Sequence, residues 1–128
     1  MRQATMKITT LLEILAGNLH PAMVKVLSFV INLWPEAYIR ITSMNRSRAE
    51  NKAAGAKSLI HVIGPPWRSV DIGGALLKQE EIDHIADLVN EAFSYDPKRP
   101  GKYKVAYGAK HGSGKHLHLQ VHDNTRRN

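Results

Sequence analysis

The sequence predicts an α+β domain in which two helices pack on a small, mainly antiparallel sheet. Three observations carry this expectation. Two stretches hold apolar residues at helical spacing, several short stretches alternate as strands do, and the last two of these are joined by a short glycine-bearing loop that favours an antiparallel pair. With 128 residues, 43% hydrophobic and 23% charged, the chain can bury one core and is too short for two. A single domain over 1–128 is expected, with a core from about 20 to 122 and a basic tail at 123–128.

The first helix is expected to open at Pro21, where a missing N–H costs nothing, with His20 at its start. Met23, Val26, Leu27, Val30, Ile31 and Trp34 share one helical face, and Pro35 stops the run. Trp34 belongs to the core on this reading. Ala37 to Thr42 alternates as a strand and runs into the polar turn Ser43-Met44-Asn45-Arg46. From there to Ser58 a long loop and a short helix fit equally. Ser58–Ile63 and Arg68–Ile72 read as extended segments around Gly64-Pro65-Pro66, and Gly73-Gly74 ends the second. Gln79 to Phe93 forms a second amphipathic helix on Ile82, Ile85, Ala86, Leu88, Val89, Ala92 and Phe93, with Glu80, Glu81 and Asp83 near its positive end. After a turn at 95–102, Tyr103–Tyr107 and His116–His122 read as two strands joined by the loop from Gly108 to Lys115.

Composition narrows the chemistry. The chain has no cysteine, so disulfides and thiolate metal sites are excluded and a metal would need imidazole and carboxylate. A formal net charge of +7 attracts polyanions at low salt, with an anionic cell wall and nucleic acid as the two partner classes. Arg46, Arg48, Lys52 and Lys57, and the tail Arg126-Arg127, are either part of such a face or ordinary solvated surface. No apolar run approaches the length of a membrane span, and no ordinary signal peptide is evident, so cytoplasmic synthesis is expected.

The most informative stretch is His116-Leu117-His118-Leu119-Gln120-Val121-His122. On a strand, His116, His118, Gln120 and His122 line one side while Leu117, Leu119 and Val121 line the other. One face suits a core and the other suits chemistry. Seven histidines are present, of which His84 reads as a surface residue. Gly112-Ser113-Gly114-Lys115 invites comparison with a phosphate-binding loop, but Ala109 stands where the first glycine should be, and a strand follows instead of a helix.

Taken in order, Ile41-Thr42-Ser43-Met44-Asn45-Arg46, Asn51 to Ser58, His61, Gly64, Val70-Asp71-Ile72 and His116-Leu117-His118 resemble the zinc D-Ala-D-Ala carboxypeptidase and L-alanyl-D-glutamate endopeptidase family, whose metal core is shared with lysostaphin-type peptidases and hedgehog domains. The match runs over about residues 37 to 122. Each motif is loose by itself, and their order and spacing are not. The resemblance implies a hedgehog/D-Ala-D-Ala peptidase-like fold in which His61, Asp71 and His118 hold Zn2+ and leave a position for water, an arrangement suited to hydrolysis of an amide. It also implies that Arg46 holds a substrate carboxylate or the charge developing on the scissile oxygen. His116, on the same strand face as His118, is the candidate for proton transfer. Trp67 beside Arg68 either flanks a substrate groove or packs in a turn, and Gln120 and His122 either orient ligands or face solvent.

Two departures from the family pattern are visible. The nine residues between His61 and Asp71 exceed the usual interval, which requires Pro65-Pro66-Trp67 or its neighbours to bulge. Lys115 stands three residues before His118, where many members carry an acid. The base is therefore His116 or His111, or the chain binds metal without efficient turnover.

The function expected on this reading is a zinc metallopeptidase cleaving peptidoglycan stem peptides, as carboxypeptidase or endopeptidase, acting as a monomer. A phage lysis or virion-associated protein is the setting its size suits, by analogy. A His-hydrophobic-His nuclease is the rival, with His116 and His118 on a divalent ion and Tyr103 or Tyr107 as nucleophile, since only ten residues follow His118 and none is tyrosine. A non-catalytic binding or structural protein that retains the peptidase fold is the third reading, and Lys115 favours it.

Overall fold

A computed structural model describes residues 19–36, 39–43, 66–74, 76–111 and 114–128. The fold is α+β, with helices α1 (Pro21–Leu33) and α2 (Gln79–Ala92) and strands β1 (Ile41–Ser43), β2 (Ser69–Gly73), β3 (Phe93–Ser94), β4 (Ala106–His111), β5 (Gly114–Gln120) and β6 (Arg126–Arg127). Four strands form one sheet in the order β1-β2-β5-β4, with every pairing antiparallel. Among the described residues no helix is long and apolar enough to cross a membrane.

The start of α1 follows from two residues. Pro21 occupies the first helical position, and His20 Nδ1 accepts the otherwise orphaned Ala22 N–H at 3.1 Å. Met23, Val26, Leu27 and Val30 are buried, and Trp34 joins them in the core. The first turn of α2 carries Glu80 and Glu81, and Glu81 Oε1 accepts the Lys78 N–H at 3.0 Å. Ile82, Ile85, Ala86 and Val89 turn inward onto the sheet. At the other end of this face Asn90 spans to β4, donating to the Ala106 carbonyl at 2.9 Å and accepting the Ala106 N–H at 3.0 Å. Its side chain satisfies backbone groups where the strand begins.

Strands β2 and β5 divide the sheet into two faces. Val70, Ile72, Leu117 and Leu119 are fully buried beneath the helices, and Asp71, Gly73, His116, His118 and Gln120 stand on the opposite face. Gly108 sits mid-strand in β4 rather than opening a loop. A Cβ there would lie 2.1 Å from Asp83 Oδ1, so the glycine lets α2 approach closely. This corrects the sequence boundaries: β4 runs from Ala106 to His111 where Tyr103–Tyr107 was expected, and β5 begins at Gly114. Gly114 has φ of 144°, in a region that side-chain-bearing residues rarely adopt.

Residues 123–128 are more than a basic tail. Arg126 and Arg127 form β6 against β3, and the Arg127 guanidinium lies 4.8 Å from the Phe29 ring centre and 5.3 Å from that of Phe93. Asp123 pairs with Arg68 Nη2 at 2.8 Å and His20 Nε2 at 3.1 Å, and these two partners hold its carboxyl below the usual range.

Asp96 closes the turn after β3. Its carboxylate accepts from Arg99 Nε at 2.8 Å, the Lys98 N–H at 3.0 Å and Asn124 Nδ2 at 3.1 Å. The Arg99 hydrogen bond is the largest of the causes that lower its pKa from 3.8 to about 2. A carboxyl whose folded pKa is depressed adds stability that is complete above its unfolded value and is lost as pH falls through the folded one. Asp96→Asn should therefore lower the thermal midpoint at neutral pH, and the gap from the parent chain should close as pH falls from about 4 to about 2. Melting curves at stepped pH check this; a gap that persists at the acid end would contradict it.

Candidate functional site

The polar face is built in rows by strand pairing. Asp71 on β2 and His118 on β5 are direct cross-strand partners although 47 positions separate them, and His118 pairs in turn with Tyr107 on β4. On the other side of β2, the backbone of Ser43 on β1 pairs with Asp71 beside a register shift. The next row joins Gly73, His116 and Ala109. Such rows bring side chains within contact range because antiparallel partners project the same way.

Asp71 Oδ1 lies 2.7 Å from His118 Nδ1, with side-chain exposures of 9% and 18%. The sheltered carboxylate and the imidazole face each other in a setting of low solvent access, where their attraction is stronger than in water. The other ring nitrogen, Nε2, lies 3.1 Å from Gln120 Oε1, and Gln120 Nε2 donates to the Lys104 carbonyl at 3.0 Å. Thr42 Oγ1 donates to the Asp71 backbone carbonyl at 3.3 Å. The Tyr107 ring stands 6.3 Å from that of His118, and its hydroxyl accepts the Lys104 N–H at 2.9 Å.

Of the residues expected to hold metal, Asp71 and His118 are brought together, and His61 lies outside the described residues. Among the described residues no group of three or more metal-ligating side chains converges. Arg46 and the His111 side chain also fall outside them. His116 shares the face of His118, between the small residues Gly73 and Ala109.

Lys115 has a structural role that its sequence position does not disclose. It alternates with His116 and so projects with Leu117 toward the helices, where its Nζ donates to the Leu77 carbonyl. The lysine is thereby turned away from Asp71 and His118. Sequence reasoning missed Arg40. A Cβ on Gly73 would lie 3.0 Å from Arg40 Nε and 3.1 Å from Nη2, so the guanidinium lies over Gly73 on the polar face, one row from Asp71 and His118. The alternation of Arg40 and Thr42 with Ile39 and Ile41 was the available signal. His122 belongs to the turn, where its Nδ1 accepts the Asn124 N–H at 3.1 Å, and Trp67 is half-buried against the core.

Comparison of the chain with protein-family models, with curated proteins and with solved structures found no match.

Proposed function

We propose that this chain is a zinc-dependent peptidase of the D-Ala-D-Ala carboxypeptidase and L-alanyl-D-glutamate endopeptidase type, acting on peptidoglycan stem peptides. The observation that carries the reading is the meeting of Asp71 and His118 at 2.7 Å across β2 and β5. Two residues picked out as ligands from widely separated motifs share one small space.

The donor chemistry fits zinc. Bonds of about 2.0–2.2 Å at a tetrahedral angle separate neighbouring N and O ligand atoms by about 3.3 Å, so the pair would open by roughly half an ångström. His61 is the third proposed ligand. When bound, zinc supplies a Lewis acid and a water acidified toward neutrality. The chain's own residues do the rest. Asp71 offsets positive charge at the site, and His116 is the proposed proton carrier for the departing amine. With Lys115 tied to the Leu77 carbonyl, the family's acidic position contributes no base here. Arg46 remains a proposed anion-holding residue, and Arg40 is a second, since its guanidinium stands one row from the Asp71–His118 pair.

Zinc content and turnover of purified peptidoglycan, each measured with His118→Ala as control, test the proposal. One zinc per chain and release of stem-peptide fragments, both lost in the variant, are expected; equal turnover by the two proteins would refute it. For Arg40, loss of a charge-assisted hydrogen bond of about 1.5–3 kcal/mol corresponds to a rise in KM of roughly 10- to 150-fold. Arg40→Ala should show that rise on a peptide with a free terminal carboxylate and little change on its amide. An unchanged KM on the free acid would remove Arg40 from substrate binding.

One observation favours the nuclease as a second reading: Tyr107 is the cross-strand neighbour of His118. Its hydroxyl is engaged by the Lys104 N–H. DNA nicking by the parent chain that disappears in Tyr107→Phe would support that reading over the peptidase.

A further inference from the structure

Gln120 follows His118 by two positions on β5, which sets both side chains on one face. Its amide can lie only one way round. The Lys104 carbonyl, 3.0 Å from Gln120 Nε2, can accept and cannot donate, so the NH2 group must point there. Oε1 is then left facing His118 Nε2 at 3.1 Å. An amide oxygen also only accepts, and the nitrogen opposite must therefore carry a hydrogen. The remaining ring nitrogen, Nδ1, lies 2.7 Å from Asp71 Oδ1, which as a carboxylate oxygen also only accepts, so without a cation Nδ1 shares a hydrogen with Asp71 and a cation bound there takes that hydrogen's place.

From this chain of contacts we infer that Gln120 is a positioning residue: it holds His118 with hydrogen on Nε2 and so assigns Nδ1 as the ring atom that shares a cation with Asp71. The inference rests on the zinc reading above and adds the identity of the ligating atom and the residue that selects it. The arrangement matters because a carboxylate beside a neutral imidazole favours an N–H pointing at itself. That tautomer would fill the cation's place with the Nδ1 hydrogen and would leave the Nε2 lone pair against the lone pairs of Gln120 Oε1. Gln120 disfavours that alternative, and the Lys104 carbonyl prevents the amide from turning to accommodate it. The restraint acts through three contacts that join Asp71 on β2, His118 and Gln120 on β5, and Lys104 in the segment that leads into β4.

Two substitutions separate this role from simple packing. Gln120→Glu retains an acceptor for the Nε2 hydrogen, and Gln120→Met fills similar space and accepts nothing. In the full-length chain labelled with 15N, the ring signals of His118, identified by their loss in His118→Gln, should show Nε2 protonated and Nδ1 shifted on addition of Zn2+. Gln120→Met should bind Zn2+ about 10- to 100-fold more weakly, the size of effect typical of residues that orient a ligand. Gln120→Glu should stay close to the parent in zinc affinity, while both variants lose the hydrogen bond to the Lys104 carbonyl and should melt at the same temperature as each other. Ligation through Nε2, or a Gln120→Met chain with parental affinity and ring pattern, would overturn the assignment. Should the parent chain take up no Zn2+, the zinc reading alone fails, and the ring is read without metal. Hydrogen on Nε2 in the parent and a mixture of tautomers in Gln120→Met then support the positioning role, and a parent ring carrying hydrogen only on Nδ1 overturns it.

Discussion

Asp71→Asn is expected to lower zinc uptake by more than about 100-fold while leaving the chain folded, a larger loss than the 10- to 100-fold typical of a residue that merely orients a ligand. Asparagine keeps the volume and a hydrogen-bonding oxygen beside His118, so the row across β2 and β5 can still form. What it loses is the negative charge, in a place where Asp71 is only 7% exposed and water screens little. Zinc competition titration, read beside circular dichroism, separates the two effects. Stoichiometric, tight zinc in Asp71→Asn would show that this carboxylate is no ligand. Peptidoglycan turnover should fall with the metal.

Leu117→Ala should produce the opposite pattern. Leu117 is fully buried, lies between His116 and His118 in the chain, and faces the helices. Truncating a buried leucine costs about 2–5 kcal/mol, through lost transfer energy and the cavity left behind. Against a total of about 5–15 kcal/mol for an ordinary domain, that is a large fraction. A denaturant midpoint moved down by this amount, with zinc affinity of the folded fraction within about threefold, is the expected result of urea titration. A midpoint unchanged in Leu117→Ala would mean that the core does not lie on this side of β5.

How far the fold could be read in advance depended on the length of each pattern. Ile82, Ile85, Ala86 and Val89 repeat over several turns, so α2 was found with its true start at Gln79. The alternation from His116 to Val121 likewise separated the two faces of β5 correctly. Boundaries failed where a local preference was overridden by packing. Gly108 looked like the end of a strand and is a mid-strand position that admits α2. β3 and β6 have two residues each, too few for any periodicity, and their pairing is supported by contacts remote in sequence, Arg127 with Phe29 and Phe93 and Asn128 with the end of α2.

At the site, the pairing of Asp71 with His118 was anticipated by motif order, and Arg40 was not. Arg40 reaches the polar face next to a register shift between Ile41 and Ser43, and it lies over a residue without a side chain on the neighbouring strand. Such a placement depends on two strands at once and leaves little trace in either. The same holds for Lys115, whose partner is the backbone of Leu77 and therefore independent of residue type at that position.

The antiparallel seam between β2 and β5 has a thermodynamic corollary. Its two facing donors come from distant parts of the polypeptide and are juxtaposed only after the sheet has closed. An ion gripped from both sides would act as a fastener, absent from the unfolded ensemble, and tight occupancy would raise resistance to unfolding by about 2.7 kcal/mol at one hundred times the dissociation constant. Denaturation curves at graded metal concentration thus become a binding assay that needs no substrate.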